Sequence, residues 1–341
     1  MKAIVMTKYG GADGLVLKTL NKPVPGDNDI LIKVHATTVF QGDCEIRRCQ
    51  FNSPLFWLPV RLYLGLFKPR GNTVLGQEFG GEVESVGKAV SQFVKGDAVF
   101  GLADLRAGAY AEYICLSDKN LIALKPANMN FEQAATVPVG GITAYNLLKR
   151  ANIQVGDQVL VNGAGGSIGT YALQIAKAMG AEVTAIDCAE KLPMLSRIGA
   201  DHVIDFEQQD FSKNGQSYDV IFDAPGKIAF ATAMASLVPN GRYLLANSSL
   251  TAALRALRSG DKKVLFESAI DKVADFAALK ELIEAGKLTA VIDKRYPLEQ
   301  MVQAHEYVDS GRKQGHVVIT VGHGECTIDL VVLASWQTHN R

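Results

Sequence analysis

The sequence predicts an α/β chain in which a doubly wound parallel sheet is inserted into a mostly β domain. Three observations carry that prediction. Short strands punctuated by Gly, Pro, Asn and Asp turns run to about Lys125, strands then alternate with helices of roughly a dozen residues from Asp157 onward, and short β patterning returns after Phe276 to Ala285. At about 150 residues per domain, 341 residues make two domains, each able to bury a core without metal or disulfide staples.

In order along the chain, KAIVMTK, LVLKTL, ILIKVHATTV, GGEVESVG and AYAEYICL read as strands, and Pro25-Gly26-Asp27 and Lys95-Gly96-Asp97 place Gly and Asp where the chain reverses. The most apolar stretch, Phe56 to Phe67 (FWLPVRLYLGLF), contains Pro59 and Arg61 and falls short of the roughly 18 residues of a membrane span. It reads as a short helix or loop lining a pocket. Phe131 to Arg150 is predicted helical. Six strands follow at Gln158 to Asn162, Glu182 to Ile186, His202 to Asp205, Asp219 to Asp223, Gly241 to Ala246 and Lys263 to Phe266, enough for a doubly wound sheet. Ala290 to Tyr296 and Gly315 to Val321 are β again. Residues 1–125 and 287–341 are therefore expected to form one domain around a parallel-sheet domain of residues 126–286. Within the tail, Gly322 to Arg341, the run LVVLASW is compatible with an added strand, an oligomer contact or a disordered extension.

Thirty-five Lys plus Arg balance thirty-five Asp plus Glu, with no basic block, so neither nucleic acid nor a membrane is an expected partner. Cys44, Cys49, Cys115, Cys188 and Cys326 are odd in number and scattered, which points to a reducing compartment and a cytoplasmic location. The opening MKAIVMTKYG lacks the apolar core and cleavage site of a signal peptide.

The strongest chemical signal is Val159-Leu160-Val161-Asn162-Gly163-Ala164-Gly165-Gly166-Ser167-Ile168-Gly169, leading into a helix with apolar residues at Ile168, Tyr171, Ala172, Ile175, Ala176 and Met179. A strand, a tight glycine turn and a helix N-terminus form an anion site, because backbone N–H groups and the helix dipole face one point. Gly163 suits the turn, Gly166 close backbone approach, and Gly169 helix-to-strand packing. The spacing is GxxGxxG with Gly165 extra, and context strengthens it: the next strand ends at Asp187, 18 residues beyond Gly169, where an acid can accept hydrogen bonds from an adenosine ribose. This predicts a Rossmann-type dinucleotide site. Asp187 disfavours a 2′-phosphate and so favours NADH, while Lys191 and Arg197 lie close enough in sequence to supply compensating charge.

Further segments join the glycine turn: Leu75-Gly76-Gln77-Glu78-Phe79-Gly80-Gly81-Glu82-Val83, Lys95-Gly96-Asp97-Ala98-Val99, Gly108 to Tyr113, Pro138-Val139-Gly140-Gly141-Ile142-Thr143-Ala144-Tyr145, Tyr218 to Gly226, and Gly315-His316-Val317-Val318. In this order and spacing the chain, over residues 1 to about 321, resembles the medium-chain dehydrogenase/reductase superfamily, specifically its zinc-independent quinone oxidoreductase-like branch. The resemblance implies a GroES-like catalytic domain built from both chain ends, a Rossmann-type domain between them, and a cleft where they meet. The zinc-dependent members carry Cys, His and Cys where this chain has Phe40, Gln77 and Val139, and no CxxC occurs, so no zinc is expected. His35 with Asp43 and Glu78 is read as structural.

The implied activity is NAD(P)H-dependent transfer of hydride to a small electron acceptor, a quinone or an activated enone or enal. The resemblance also implies cofactor contacts from Gly163, Gly165, Gly166, Ser167, Ile168, Gly169, Asp187 and Lys191, with Thr143 near the nicotinamide and Pro225 and Asn247 at strand ends. Phe40, Gln41, Asp43, Trp57, Tyr63 and Tyr110 are the substrate-side candidates, and no catalytic residue stands out. Phe40-Gln41 departs from the Asn-Pro frequent in the family. In the relatives, the last strand of the nucleotide sheet pairs across a two-fold axis, so Lys263 to Phe266 is the expected edge of a homodimer. Two other outcomes stay open on the residues alone: an alcohol or carbonyl dehydrogenase of the same superfamily, and a catalytically silent NAD(P)H-binding sensor.

Overall fold

The computed structural model describes residues 1–51, 57–103, 108–247, 256, 259–266 and 272–322; the apolar tail segment LVVLASW and Cys326 lie outside them. The N-terminal part contributes β1 (Lys2–Met6), β2 (Leu15–Thr19), β3 (Asp29–Val39), α1 (Gln41–Arg48), α2 (Trp57–Leu64), β4 (Glu78–Val86), β5 (Ala98–Leu102), β6 (Tyr113–Ser117) and β7 (Leu121–Leu124). The middle runs α3 (Phe131–Ala135), α4 (Pro138–Ala151), β8 (Gln158–Asn162), α5 (Ser167–Ala178), β9 (Glu182–Asp187), α6 (Leu192–Arg197), β10 (His202–Asp205), β11 (Tyr218–Asp223), α7 (Phe230–Ser236), β12 (Leu237–Leu245), β13 (Lys263–Phe266) and α8 (Lys272–Glu284). The last described elements are β14 (Ile292–Pro297), α9 (Met301–Asp309) and β15 (His316–Thr320).

Two sheets dominate. One is ordered β14-β15-β3-β4-β5-β7, with β6 also on β3. Here β15 lies antiparallel to β3, Val317 opposite Val39, so the end of the described chain completes a sheet begun near its start. Its core gathers Ile30, Ile32, Val34, Phe79, Val83, Val99, Val317 and Ile319. The other sheet is parallel, ordered β10-β9-β8-β11-β12-β13. Alternate residues of each strand enter different cores: Val159, Val161, Val220 and Phe222 face α4, α5 and α8, whereas Leu160, Ile221, Tyr243 and Leu245 pack on the opposite side with Ala233 of α7. Helices on both faces explain why these strands are continuous apolar runs. The chain leaves β8 toward β9 and later returns beside it as β11, so the sheet order switches there. In such sheets the crevice beyond that switch point binds ligands.

The six predicted parallel strands all form, one of them starting well before its expected residue, and one predicted helix is divided. The strand predicted from Gly241 begins at Leu237, because Asn240 takes a left-handed φ of 62° and the chain passes through Pro239-Asn240-Gly241 as an irregularity in pairing. The helix predicted over 131–150 is two helices. Pro138 has no N–H to continue the first and sits instead at the start of the second, the position a helix tolerates best.

Candidate active site

The glycine turn lies at the carboxyl end of β8, and the distances there show what each missing side chain allows. Gly163 has φ +71°, the left-handed region that favours glycine. A Cβ on Gly169 would stand 2.2 Å from the Gly163 carbonyl oxygen, so the packing of α5 on the turn requires a bare backbone. A Cβ on Gly166 would meet only that same oxygen, at 3.4 Å, which leaves the space before the first turn of α5 open. The first N–H groups of a helix have no partner within it. Open space, unpartnered donors and the positive end of a twelve-residue helix fit a dinucleotide pyrophosphate.

Neighbouring strand ends close around this turn. Asp187, the last residue of β9, is 6% exposed and accepts hydrogen bonds from the N–H groups of Gly165 (2.8 Å) and Cys188 (3.0 Å). Lys191 pairs with it at 3.0 Å, and its aliphatic stem fills the place where a Cβ on Gly165 would be. At the switch point, Asn162 donates to Asp223 at 2.8 Å; Asp223, fully buried, also accepts from the N–H groups of Gly226 and Ile228 and from the Tyr243 hydroxyl. This clamp fixes the turn after β11, so that Pro225 packs on Gly163 and Gly226 on the Asn247 carbonyl after β12. The predicted cofactor residues Gly163, Gly165, Gly166, Ser167, Ile168, Gly169, Asp187, Lys191, Pro225 and Asn247 thus converge at one end of the sheet. Thr143 is buried within α4, whose N-terminal turn meets α5 where Gly140 packs on the Ser167 carbonyl.

Two residues that sequence reasoning did not place at this site complete it. Lys313, in the turn before β15, donates to the Ser167 hydroxyl and to the Gly315 carbonyl, both at 2.7 Å. Gly315 N–H in turn donates to the Gly165 carbonyl at 2.8 Å, so the returning end of the chain is tied to the glycine turn. Burial and the nearby Lys191 charge bring the Lys313 amine down to about 8. Glu78, at the start of β4, accepts from the Thr38 hydroxyl and, at 2.7 Å, from the N–H of Val139 in the first turn of α4. Burial pushes its carboxyl up to about 8. Only the fold brings the 313–315 turn to Ser167, so no local pattern announces Lys313. Glu78 lay within a recognised motif, but its role as a buried cap on α4 is a long-range contact.

The substrate-side candidates do not converge. Phe40 and Gln41 begin α1, Gln41 exposed. Asp43 and Tyr110 are buried against one another in the β-domain core, with the Asp43 carboxyl pushed up to about 7 by burial. The Tyr110 ring covers Gly76, where a Cβ would come within 2.3 Å of it, so this tyrosine is a packing residue and not part of a pocket wall. Trp57 and Tyr63 are exposed on α2. Tyr63 lines an open depression of about 350 Å³ with Leu64, Thr73, Val74 and Gly108, and none of the other substrate-side candidates shares it. Among the described residues no three His, Cys, Asp or Glu side chains stand close enough to hold a metal ion, and the His35 ring stacks on Phe131 at 4.5 Å.

This architecture and site are those of a two-domain, nucleotide-dependent oxidoreductase, and comparison with known proteins agrees. Residues 26–127 match the alcohol dehydrogenase GroES-like domain, and residues 198–319 match a family described as zinc-binding dehydrogenase. The NADPH-dependent alkenal/one oxidoreductase of Arabidopsis thaliana is 31% identical over 334 residues, covering 94% of this chain and 79% of that protein. The quinone oxidoreductase of Sus scrofa is 31% identical over 328 residues, covering 92% and 95%. The solved structure of the quinone oxidoreductase from Coxiella burnetii superposes with a TM-score of 0.84 at 27% identity, covering 94% and 99%. The chain belongs to the medium-chain dehydrogenase/reductase superfamily, in its quinone oxidoreductase-like branch. It is an NAD(P)H-using oxidoreductase with a GroES-like domain and a Rossmann-type domain.

Proposed function

We propose that this enzyme is a zinc-independent reductase that takes hydride from NADH and delivers it to a quinone or to an alkene conjugated with a carbonyl. The observation that carries this reading is the donor set: Phe40, Gln77 and Val139 occupy the three positions where the zinc-dependent relatives hold their metal, and none offers thiolate, imidazole or carboxylate. With no Lewis acid held there to polarise an alcohol or ketone, acceptors that take hydride readily fit best. The printed names of the Arabidopsis and Sus scrofa relatives support that substrate class.

Bound nicotinamide supplies the hydride; the chain supplies position and charge. The glycine turn and the α5 N-terminus would hold the pyrophosphate, and the Lys313 ammonium, which donates to the Ser167 hydroxyl, would add a cation beside them. Asp187 draws Lys191 onto itself, so a 2′-phosphate at the end of β9 meets a carboxylate and a cation already paired, which favours NADH. Glu78 keeps the start of α4 fixed against the catalytic sheet. In the same reading the protein is cytoplasmic and homodimeric. Its contact strand is β13, the edge of the parallel sheet among the described residues, and sedimentation as a stable monomer at micromolar concentration rejects that assembly.

The test is to mix protein purified without added metal with NADH or NADPH and follow reduced-nicotinamide absorbance on adding a quinone, then an enone. Turnover with preference for NADH is expected. Stoichiometric zinc by metal analysis, with alcohol oxidation, supports the dehydrogenase alternative instead. Tight cofactor binding without turnover of either acceptor class supports a sensor.

A further inference from the structure

The most unusual surface of the molecule lies away from the glycine turn. Helix α2 is apolar on nearly every side, yet none of its eight residues is buried. A helix of that character ordinarily lies inside a protein or a membrane. Among the described residues, six of the exposed large apolar side chains fall between positions 57 and 67: Trp57, Leu58, Leu62, Tyr63, Leu66 and Phe67, the last 89% exposed. Elsewhere such side chains stand singly or as one adjacent pair, which is normal for a protein surface.

The patch is firmly built. The Arg61 guanidinium stacks over the Tyr9 ring at 3.9 Å and donates to the Leu66 carbonyl at 2.8 Å, while the Tyr9 hydroxyl donates to the Gly65 carbonyl at 2.7 Å. Arg70 N–H closes the turn by donating to the Leu64 carbonyl at 2.7 Å. Leu66 and Phe67 are thus presented outward on a pinned turn. The stretch is also one-signed. Between Glu45 and Glu78 the sequence contains no Asp or Glu. Arg47 and Arg48 there share a single acid, Asp309, and no acid of that stretch compensates Arg61, Lys68 or Arg70, of which Lys68 and Arg70 are exposed.

Apolar and aromatic side chains rimmed by cations, with no acid between them, match the chemistry of an anionic lipid surface. We propose that this face docks on such a surface, with Trp57, Leu58, Leu62, Leu66 and Phe67 entering the boundary between headgroups and acyl chains and Lys68 and Arg70 meeting lipid phosphates. A second copy of the same face would bring like charges together, which opposes a symmetric dimer through it. The overall charge balance does not argue against docking, because lipid attraction depends on local charge within about a Debye length, on the order of 10 Å. The proposal revises the expectation, drawn from that balance, that a membrane is no partner.

The experiment is cosedimentation of the full chain with vesicles of phosphatidylcholine alone and of phosphatidylcholine mixed with phosphatidylserine, at low and high salt. Binding to the phosphatidylserine vesicles, released in large part by salt, is expected. The double variant Leu62→Ser with Phe67→Ser should lose about tenfold or more in partitioning, since each change removes an apolar side chain from the lipid contact. Lys68→Glu should weaken binding to the anionic vesicles alone. Both variants should keep wild-type NADH affinity by fluorescence titration, since none of these side chains is at the glycine turn. Three results overturn the proposal: no partitioning of the wild type, equal partitioning of the double variant, or a change in sedimentation mass of the double variant without a change in vesicle binding, which assigns the patch to a protein contact. Vesicle binding is read without turnover, so its failure leaves the reductase reading untouched.

Discussion

The cofactor side and the substrate side of this enzyme are built from different materials. On the proposed cofactor side the site is mostly backbone: a seven-residue turn, Gly163 to Gly169, in which missing side chains leave room and allow close packing. On the substrate side the candidates are side chains scattered over α1, α2 and the loop before β6, and the fold sends them to different places. A site made of missing side chains is written in consecutive residues. A site made of side chains from separate elements exists only after folding.

The sharpest way to break the comparison is to add side chains within the turn. Gly169→Val places a branched side chain where even a Cβ lies 2.2 Å from a backbone oxygen, so α5 must move off the turn. The expected cost is about 3 kcal/mol or more, with loss of NADH binding. Gly166→Ala is the control: its φ of −87° suits any residue and the space before it is open. That variant should change stability by less than about 1 kcal/mol and still weaken NADH binding about tenfold, because the methyl enters the ligand's space. Urea unfolding and fluorescence titration separate the two effects. Equal destabilisation by both changes means the turn is only a packing device.

Glu78 tests the contacts that cross between the sheets. Glu78→Leu leaves the buried Thr38 hydroxyl and the half-buried Val139 N–H without their acceptor, at about 1–3 kcal/mol for the hydroxyl and less for the N–H. Glu78→Gln retains an acceptor for Val139 and should fold nearly normally. The carboxyl is pushed up to about 8 from 4.5, so between those values the folded chain holds a proton that the unfolded chain has released. Its contribution to stability therefore falls as pH rises through that window, and Glu78→Gln should flatten the slope. An unfolding series over this range that shows identical slopes rejects a protonated Glu78.

Lys313 has the opposite sign. Its amine is lowered to about 8 from 10.5, so between those values the unfolded chain holds a proton that the folded chain lacks, and this group's contribution rises with pH. An anionic ligand favours the charged amine, so NADH affinity should fall as pH rises through about 8. Lys313→Met should weaken binding about tenfold, the loss of one charge-assisted hydrogen bond, and remove that pH dependence. Titrations of wild type and variant on both sides of pH 8 decide it.

These residues also mark how far sequence reading reaches. The parallel strands were legible because Val159-Leu160-Val161 and Tyr218 to Asp223 are apolar runs bounded by turns, and each strand is covered on both faces. The return of the chain end was legible from β patterning after Ala290, and β15 joins β3 accordingly. Tyr110 misled because an aromatic ring near a motif looks the same in sequence whether it lines a pocket or covers Gly76. Lys313 was illegible because Ser167 lies 146 residues away, and no local feature distinguishes it from the neighbouring Arg312. Trp57 to Phe67 was legible as apolar but not as exposed, since burial depends on what the rest of the chain places over it.

Asp187 is where the two kinds of reading meet. Its position at the end of β9 was predicted, but its partners were not: it binds the Gly165 N–H and holds Lys191 at 3.0 Å. It therefore shapes the turn as well as setting local charge, and a single substitution tests both. Asp187→Ser removes the carboxylate, frees the Lys191 ammonium, and leaves a hydroxyl too short to take every hydrogen bond. The freed cation should tighten NADPH binding about tenfold, in the range of one charge-assisted contact, while NADH binding weakens by a smaller factor. Paired titrations of wild type and variant with both cofactors give the ratio. If NADPH affinity stays unchanged, Lys191 does not face the 2′-position, and cofactor choice rests on residues other than this pair.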